Sequence, residues 1–190
     1  MSIKQGTTHR TGSLSPEFIL LGFLIAGPSH GYDLHQRFQA ELGSIWHLSQ
    51  SQAYTILKRL ENHGDISSQI IEQEKLPARQ KLRITAAGRR RFMDWLENNT
   101  SHNSRSIRLE FLTRLYFTNL YSPEKNALIH AAQCAEIKSE IERIENLLAH
   151  LPPDQTFNRL SLDLRLRQIK LIQEWMTEIK IQFHITAEET

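Results

Sequence analysis

The sequence predicts a mainly α chain of two modules: three short helices, a β-hairpin and a fourth helix, followed by a module of long helices alone. Three observations carry this. Glycine and proline divide the segments before about residue 100, whereas the second half reads as long helical patterns broken at "YSPEK" and "LPPDQTFN". Only "ISSQIIEQ" and "QKLRIT" alternate as strands, around a turn in "EKLPAR" that contains Pro77. Between the halves, "ENNTSHNSRS" is polar and rich in Asn and Ser, as a linker or helix end is. The expected division is a flexible tail over 1–13, a first module over 14–98 and a helical module over 99–190.

Each element has its own signal. In "LSPEFILLGFLIAGP" Ser15 suits a cap, Pro16 the first helical position and Glu17 the positive end of the dipole, and the apolar run to Ala26 predicts a nearly all-buried helix that Gly27 and Pro28 stop. "SHGYDLHQRFQAELG" spaces Tyr32, Leu34, Phe38 and Leu42 as a second helix closing on Gly43. Ser49 and Gln52 form a capping box for a third, which ends at Gly64 and docks through Ala53, Ile56, Leu57 and Leu60. "TAAGRRRFMDWLENN" predicts a fourth, with Phe92, Trp95 and Leu96 inward and Arg89, Arg90 and Arg91 outward. This order of elements describes a winged helix-turn-helix.

Composition excludes several classes. With 190 residues and 39% hydrophobic content the chain can bury a core, and its formal charge of +2 means that a polyanion site requires a local concentration of cations. Cys134 is the sole cysteine, which rules out an intrachain disulfide and fits a small buried apolar role. No apolar run reaches the ~18 residues that span a bilayer. "MSIKQGTTHRTGS" has no hydrophobic signal core, so a soluble, cytoplasmic protein is expected. The nine histidines show no metal-ligand spacing, "GPSHGY" lacks the spacing and lysine of a phosphate loop and reads as a turn, and there is no nucleophile elbow. No enzyme, metal or cofactor is expected.

The third helix carries the function. Its exposed faces hold Ser51, Gln52 and Thr55, which suit base edges in a major groove, and Tyr54, Lys58 and Arg59, which suit phosphates. Wing cations Lys75, Arg79 and Lys81 extend that surface. Between Ser49 and Trp95 nine Lys and Arg face five Asp and Glu, so the positive charge lies where DNA binding needs it. Protein contact through a winged helix is the competing class. It would not require the cationic wing and the polar helix together.

These blocks also carry a resemblance. "GPSHGYDL" (Gly27, Pro28, His30, Gly31, Tyr32, Asp33, Leu34), "YTILKRLENHG" (Tyr54, Leu57, Arg59, Leu60, Glu61, Gly64) and "LRITAAG" (Leu82, Thr85, Gly88) resemble the PadR family of bacterial transcriptional regulators over about residues 14–97. Leu82 stands where the family often has Tyr, and Leu76-Pro77-Ala78 stands where its wing commonly has Gly. The resemblance implies a homodimeric regulator, usually a repressor, that releases its DNA operator when a small effector binds, with a helical carboxy-terminal domain in the longer members.

The second half predicts dimerisation on its own account. After Ser122 and Pro123, Ala127, Ala131, Cys134, Ile137, Ile141, Ile144, Leu148 and Leu151 form one seam. From about Arg159 to Phe183, one stripe runs through Leu162, Leu166, Ile169, Ile172, Met176, Ile179 and Phe183 and a second through Leu160, Leu164, Leu171 and Trp175. Two apolar faces need two partners, and the residues expected at a subunit interface are Ile137, Ile141, Ile144, Leu148, Ile169, Ile172, Trp175, Met176 and Ile179. Residues 134–190 hold seven Lys/Arg against ten Asp/Glu and should avoid DNA. For a small aromatic effector, the expected walls between the modules are Trp95, Phe111, Arg114, Tyr116 and His130; the family resemblance adds phenolic acids as effectors of some members.

Overall fold

The computed structural model describes residues 16–73, 76–98 and 100–182, with side chains described outside 71–79 and 181–182. The expected tail, Ser15, Lys75 and Phe183 lie outside the described residues. Helix α1 (Glu17–Ile25) follows Pro16, and its unbroken apolar run places it at the centre, against α2 (Gly31–Leu42), α3 (Gln50–Asn62) and α4 (Ala86–Glu97). From α2, Leu34, Phe38 and Leu42 enter the core at four-residue spacing. In α3 the buried stripe is Ala53, Ile56, Leu57 and Leu60. The capping box forms as expected: the Gln52 backbone N–H donates to Ser49 Oγ (3.2 Å) and the Ser49 N–H to Gln52 Oε1 (2.9 Å). Past its other end Gly64 takes φ +76°, the left-handed conformation that glycine adopts without strain.

The sheet has one strand more than the sequence suggests. β2 (Ile66–Gln73) and β3 (Leu76–Ile84) pair antiparallel from Ile66 opposite Ile84 to Ile71 opposite Arg79. The segment read as a turn contains β1 (Ser29–His30), which pairs with the other edge of β3, giving the order β1-β3-β2. Two residues are too few to show a period. What makes this a strand is the otherwise open edge of β3, which tertiary structure brings alongside. Thr85 then caps α4 by accepting from the Gly88 N–H (3.1 Å), and Phe92 and Leu96 are buried, with Trp95 half-buried.

The linker is short and structured. Thr100 is buried, Asn103 caps α5 (Ser104–Ser106), and a π-helical turn (Ile107–Phe111) leads into α6 (Leu112–Tyr121). Leu109 and Phe117 join the same core cluster as α1 and α4, so the first core draws on chain beyond residue 98. Phe117 stands edge-on to Phe23 and Phe92, Trp46 Nε1 donates to Thr113 Oγ1 (2.8 Å), and the Tyr121 hydroxyl donates to the Gly22 carbonyl (2.8 Å). Gly22 makes this approach possible, because a Cβ there would lie 2.4 Å from the Phe117 ring.

On its far side α6 gives Leu115, with Phe111 from the preceding turn, to a second core built by α7 (Asn126–His150) and α8 (Thr156–Gln182). A 3-10 turn (Pro123–Lys125) opens α7, and α8 starts three residues before the expected Arg159. The nine residues expected between subunits all belong to this intrachain cluster. Ile137, Ile141, Ile144, Ile169, Met176 and Ile179 are buried, and Leu148, Ile172 and Trp175 pack against them. Within the chain these nine pack chiefly between α7 and α8, with Leu148, Ile172 and Trp175 only partly buried. Left outward are Phe157, Leu160, Leu164 and Leu171 of α8, and Leu128 and Leu147 of α7. Cys134 is half-buried, and burial raises its thiol pKa.

Candidate nucleic-acid interface

The face of α3 opposite its buried stripe carries Ser51, Thr55 and Lys58, spaced so that they share one side of the helix, and all three are exposed. Thr55 Oγ1 donates to the Ser51 carbonyl (2.9 Å), and Ser51 Oγ sits 3.1 Å from Ser49 Oγ, so both hydroxyls are held on the first turns. Gln52 is exposed, with its side-chain oxygen committed to the cap and its amide hydrogens directed elsewhere. Tyr54 is exposed on one flank. Lys81 lies in β3, flanked by His30 and Gln69, and Arg79 lies in β3 opposite Ile71; its side chain, like all of Lys75, is outside the description.

Arg59 departs from expectation. Its guanidinium donates to Glu17 Oε2 at 2.6 Å, and Glu17 also takes Arg91, which bridges to Asp65. Glu17 and Asp65 are buried at the base of α1 and after α3, and a buried carboxylate requires a cationic donor. Arg59 therefore ties α3 to α1 in addition to facing solvent. Arg91, expected on an open face, is drawn half inside by the same two carboxylates and by the Phe18 ring.

Two clefts flank α3. The first, about 780 Å³, lies toward α2 and the sheet, and its lining includes His30, Tyr54 and Lys58 with the carboxylates Asp33 and Glu61. The second, about 570 Å³, lies toward the α2–α3 connection and the linker, and its lining includes His47, Gln52, Thr55, Arg59, Arg105 and Arg108. Arg105 and Arg108 were not legible as site residues because they fall in and just after a stretch that reads as linker. Their three-residue spacing after the Asn103 cap was the available signal.

The residues expected around an effector do not converge on one cavity. Arg114 is buried, stacks over the Trp95 ring (5.0 Å to its centroid) and donates to Glu110 Oε1 (2.6 Å) and to the Asn98 carbonyl; Trp95 Nε1 donates to the same Glu110 oxygen (3.1 Å). Burial pulls the Arg114 pKa down against the opposing pull of Glu110. Phe111 faces Trp175, and His130 Nε2 meets the Met176 carbonyl (2.8 Å), both in the second core. Tyr116 turns the other way, to Phe23, Phe117 and Glu41. These side chains come from α4, the π-helical turn, α6 and α7 and turn to opposite cores, so they do not gather at one site. Among the described residues, no group of three or more His, Cys, Asp and Glu is arranged to hold a metal, and no helix is long and apolar enough to cross a membrane.

A three-stranded sheet on a helix-turn-helix, with the third helix anchored by its apolar stripe and showing hydroxyls and a cation outward, defines the winged-helix fold. Residues 20–94 match the family model described as transcriptional regulator PadR-like family. The negative transcriptional regulator PadR of Bacillus subtilis is 26% identical over 141 residues, 72% of this chain and 77% of that protein. Among solved structures, Bacillus subtilis PadR in complex with operator DNA is 25% identical, with a TM-score of 0.45 over 88% of this chain and 98% of that one. The same regulator in complex with p-coumaric acid is 23% identical, with a TM-score of 0.40 over 89% and 95%. Over residues 20–94 the chain is thus similar to PadR-like transcriptional regulators.

Proposed function

We propose that the chain is a homodimeric repressor that binds an operator through α3 and the wing. In this reading residues 14–98 recognise DNA and 99–190 dimerise. Ser51 and Thr55 read base edges, Gln52 contributes its amide hydrogens, Tyr54 and Lys58 meet phosphates, and Lys75, Arg79 and Lys81 bring the wing to the adjacent backbone. Arg59 acts mainly by fixing α3 on α1. The observation that carries this is the exposed Ser51–Thr55–Lys58 face, because a row of hydroxyls and a cation opposite a well-anchored apolar stripe matches the edge and backbone chemistry of a groove. The name of the Bacillus subtilis relative supports the negative sign of regulation. A mobility-shift assay on DNA upstream of the chain's own gene tests it: retardation competed by that DNA and not by an unrelated duplex is expected, and equal competition by both refutes an operator.

The second copy is assigned to the outward stripe Leu160, Leu164 and Leu171 with Phe157, which the intrachain hairpin leaves uncovered. An operator-binding dimer of this kind requires its two recognition helices to reach successive major grooves, roughly 34 Å apart.

A small aromatic acid is the proposed effector, at Trp95 and Arg114. Arg114 Nε is buried without a hydrogen-bond partner beside an indole, and a carboxylate is the group that would satisfy it. A panel of phenolic acids should quench Trp95 fluorescence, and an Arg114→Lys variant should blunt the quenching. Identical quenching in a Trp95→Phe variant removes the site.

A further inference from the structure

The clefts on the two flanks of α3 differ in charge. Asp33 and Glu61 offset the cations of the first. The second has Arg59, Arg105 and Arg108 in its lining and no carboxylate. Of these three, Arg59 is engaged with Glu17, whereas Arg105 and Arg108 have no carboxylate partner among the described residues. Both are exposed. Three residues apart, they share a face of the helical run that follows Asn103, and Arg105 sits in its first turn, where the helix dipole disfavours a cation. Leu109, in the next turn, is buried in the first core and fixes that run beside α3.

A helix seated in a major groove roughly 12 Å wide has a ridge of phosphates on each side. One ridge meets the Lys58 flank. We propose that Arg105 and Arg108 bind phosphodiester anions of the other ridge, so that the run linking the two halves belongs to the DNA interface. This rests on the reading of α3 as the groove-binding helix. It gives the second half a direct contact with DNA although its carboxy-terminal part is acidic, because the two arginines precede that part and lie beside α3. It also gives the bound duplex a hold on the segment that sets the angle between the halves.

The test uses the full chain, a mixed-sequence 30-base-pair duplex and fluorescence anisotropy over a salt series, with inorganic phosphate as the free-anion probe in a thermal-shift arm. An Arg105→Gln/Arg108→Gln variant with unchanged circular dichroism should lose about two units of slope in log K against log salt for each subunit engaged, at about 0.9 per phosphate. An Arg105→Lys/Arg108→Lys variant should keep the slope, since Lys serves a phosphate as a point charge. Removing two cations from the far side, Lys138→Gln/Lys170→Gln, should leave it unchanged. A wild-type slope in the double Gln variant overturns the proposal while leaving α3 in place. The same result with an arginine-dependent thermal shift by phosphate identifies a free-anion site instead. Absence of wild-type binding even at low salt defeats the groove-binding reading itself.

Discussion

Helices α3 and α8 each bury one stripe and present another, and the difference between the presented stripes separates their roles. α3 buries Ala53, Ile56, Leu57 and Leu60 and presents Ser51, Thr55 and Lys58. α8 buries Ile169, Met176 and Ile179 and presents Leu160, Leu164 and Leu171, each more than half exposed. Amphipathicity alone makes both dock on a core. What they offer outward differs: hydroxyls and a cation suit a solvated, charged partner, whereas leucines at helical spacing gain free energy only against another apolar surface, at about 25 cal/mol per Å² removed from water.

Placing charge on the α8 stripe should break this comparison most severely. Leu164→Glu/Leu171→Glu leaves the intrachain core untouched, so circular dichroism should be preserved. Sedimentation should show monomers, and affinity for an inverted-repeat site should fall by roughly 10² to 10⁴ as bivalent engagement is lost. A variant that stays dimeric moves the interface elsewhere.

Filling the gap that lets α6 reach α1 comes next. Gly22→Ala drives a methyl into the Phe117 ring and should destabilise the fold by ~2 kcal/mol, read as a lower urea midpoint at an unchanged slope. Wild-type stability would mean that α6 is not packed there.

Lys58 and Arg59 are neighbours with separable jobs. Lys58→Ala should weaken DNA binding about tenfold and lower the salt slope by about one unit per subunit at constant melting temperature. Arg59→Ala should lower stability by ~1 kcal/mol, because Glu17 loses one of its donors. Exchange of these two outcomes would reassign the phosphate contact to Arg59.

The smallest effect concerns the junction of linker and hairpin. Hydrogen bonds from Arg143 (2.8 Å), with Arg165 and His102 nearby, hold the buried Glu140 carboxyl below its ordinary pKa. Since the folded state holds this proton more weakly than the unfolded chain, its stabilisation is complete at neutral pH. It is lost as pH falls from the ordinary carboxylate value through the depressed native one. Glu140→Gln should flatten the acid limb of a melting-temperature profile, and a superimposable profile would show that other carboxylates set it.

Much of this was legible in short-range pattern. The capping box at Ser49, the stripe of α3, the hairpin, the stop at Gly64 and, Trp175 apart, the stripes of α8 depend on spacing, capping chemistry and turn preference within a few residues, which the chain carries locally. The polar face of α3 was legible for the same reason: once its buried stripe is fixed, helical geometry fixes the opposite side. Partners distant in sequence were decided only by tertiary structure. Ser29–His30 became a strand because β3 had an open edge, and Arg59 and Arg91 turned to Glu17 because folding buried that carboxylate 42 and 74 residues away. Tyr116 and Phe111 parted because α6 lies between two cores, and Arg105 and Arg108 came beside α3 because Leu109 docks there. Burial and charge pairing depend on which surfaces meet, and no local period encodes that.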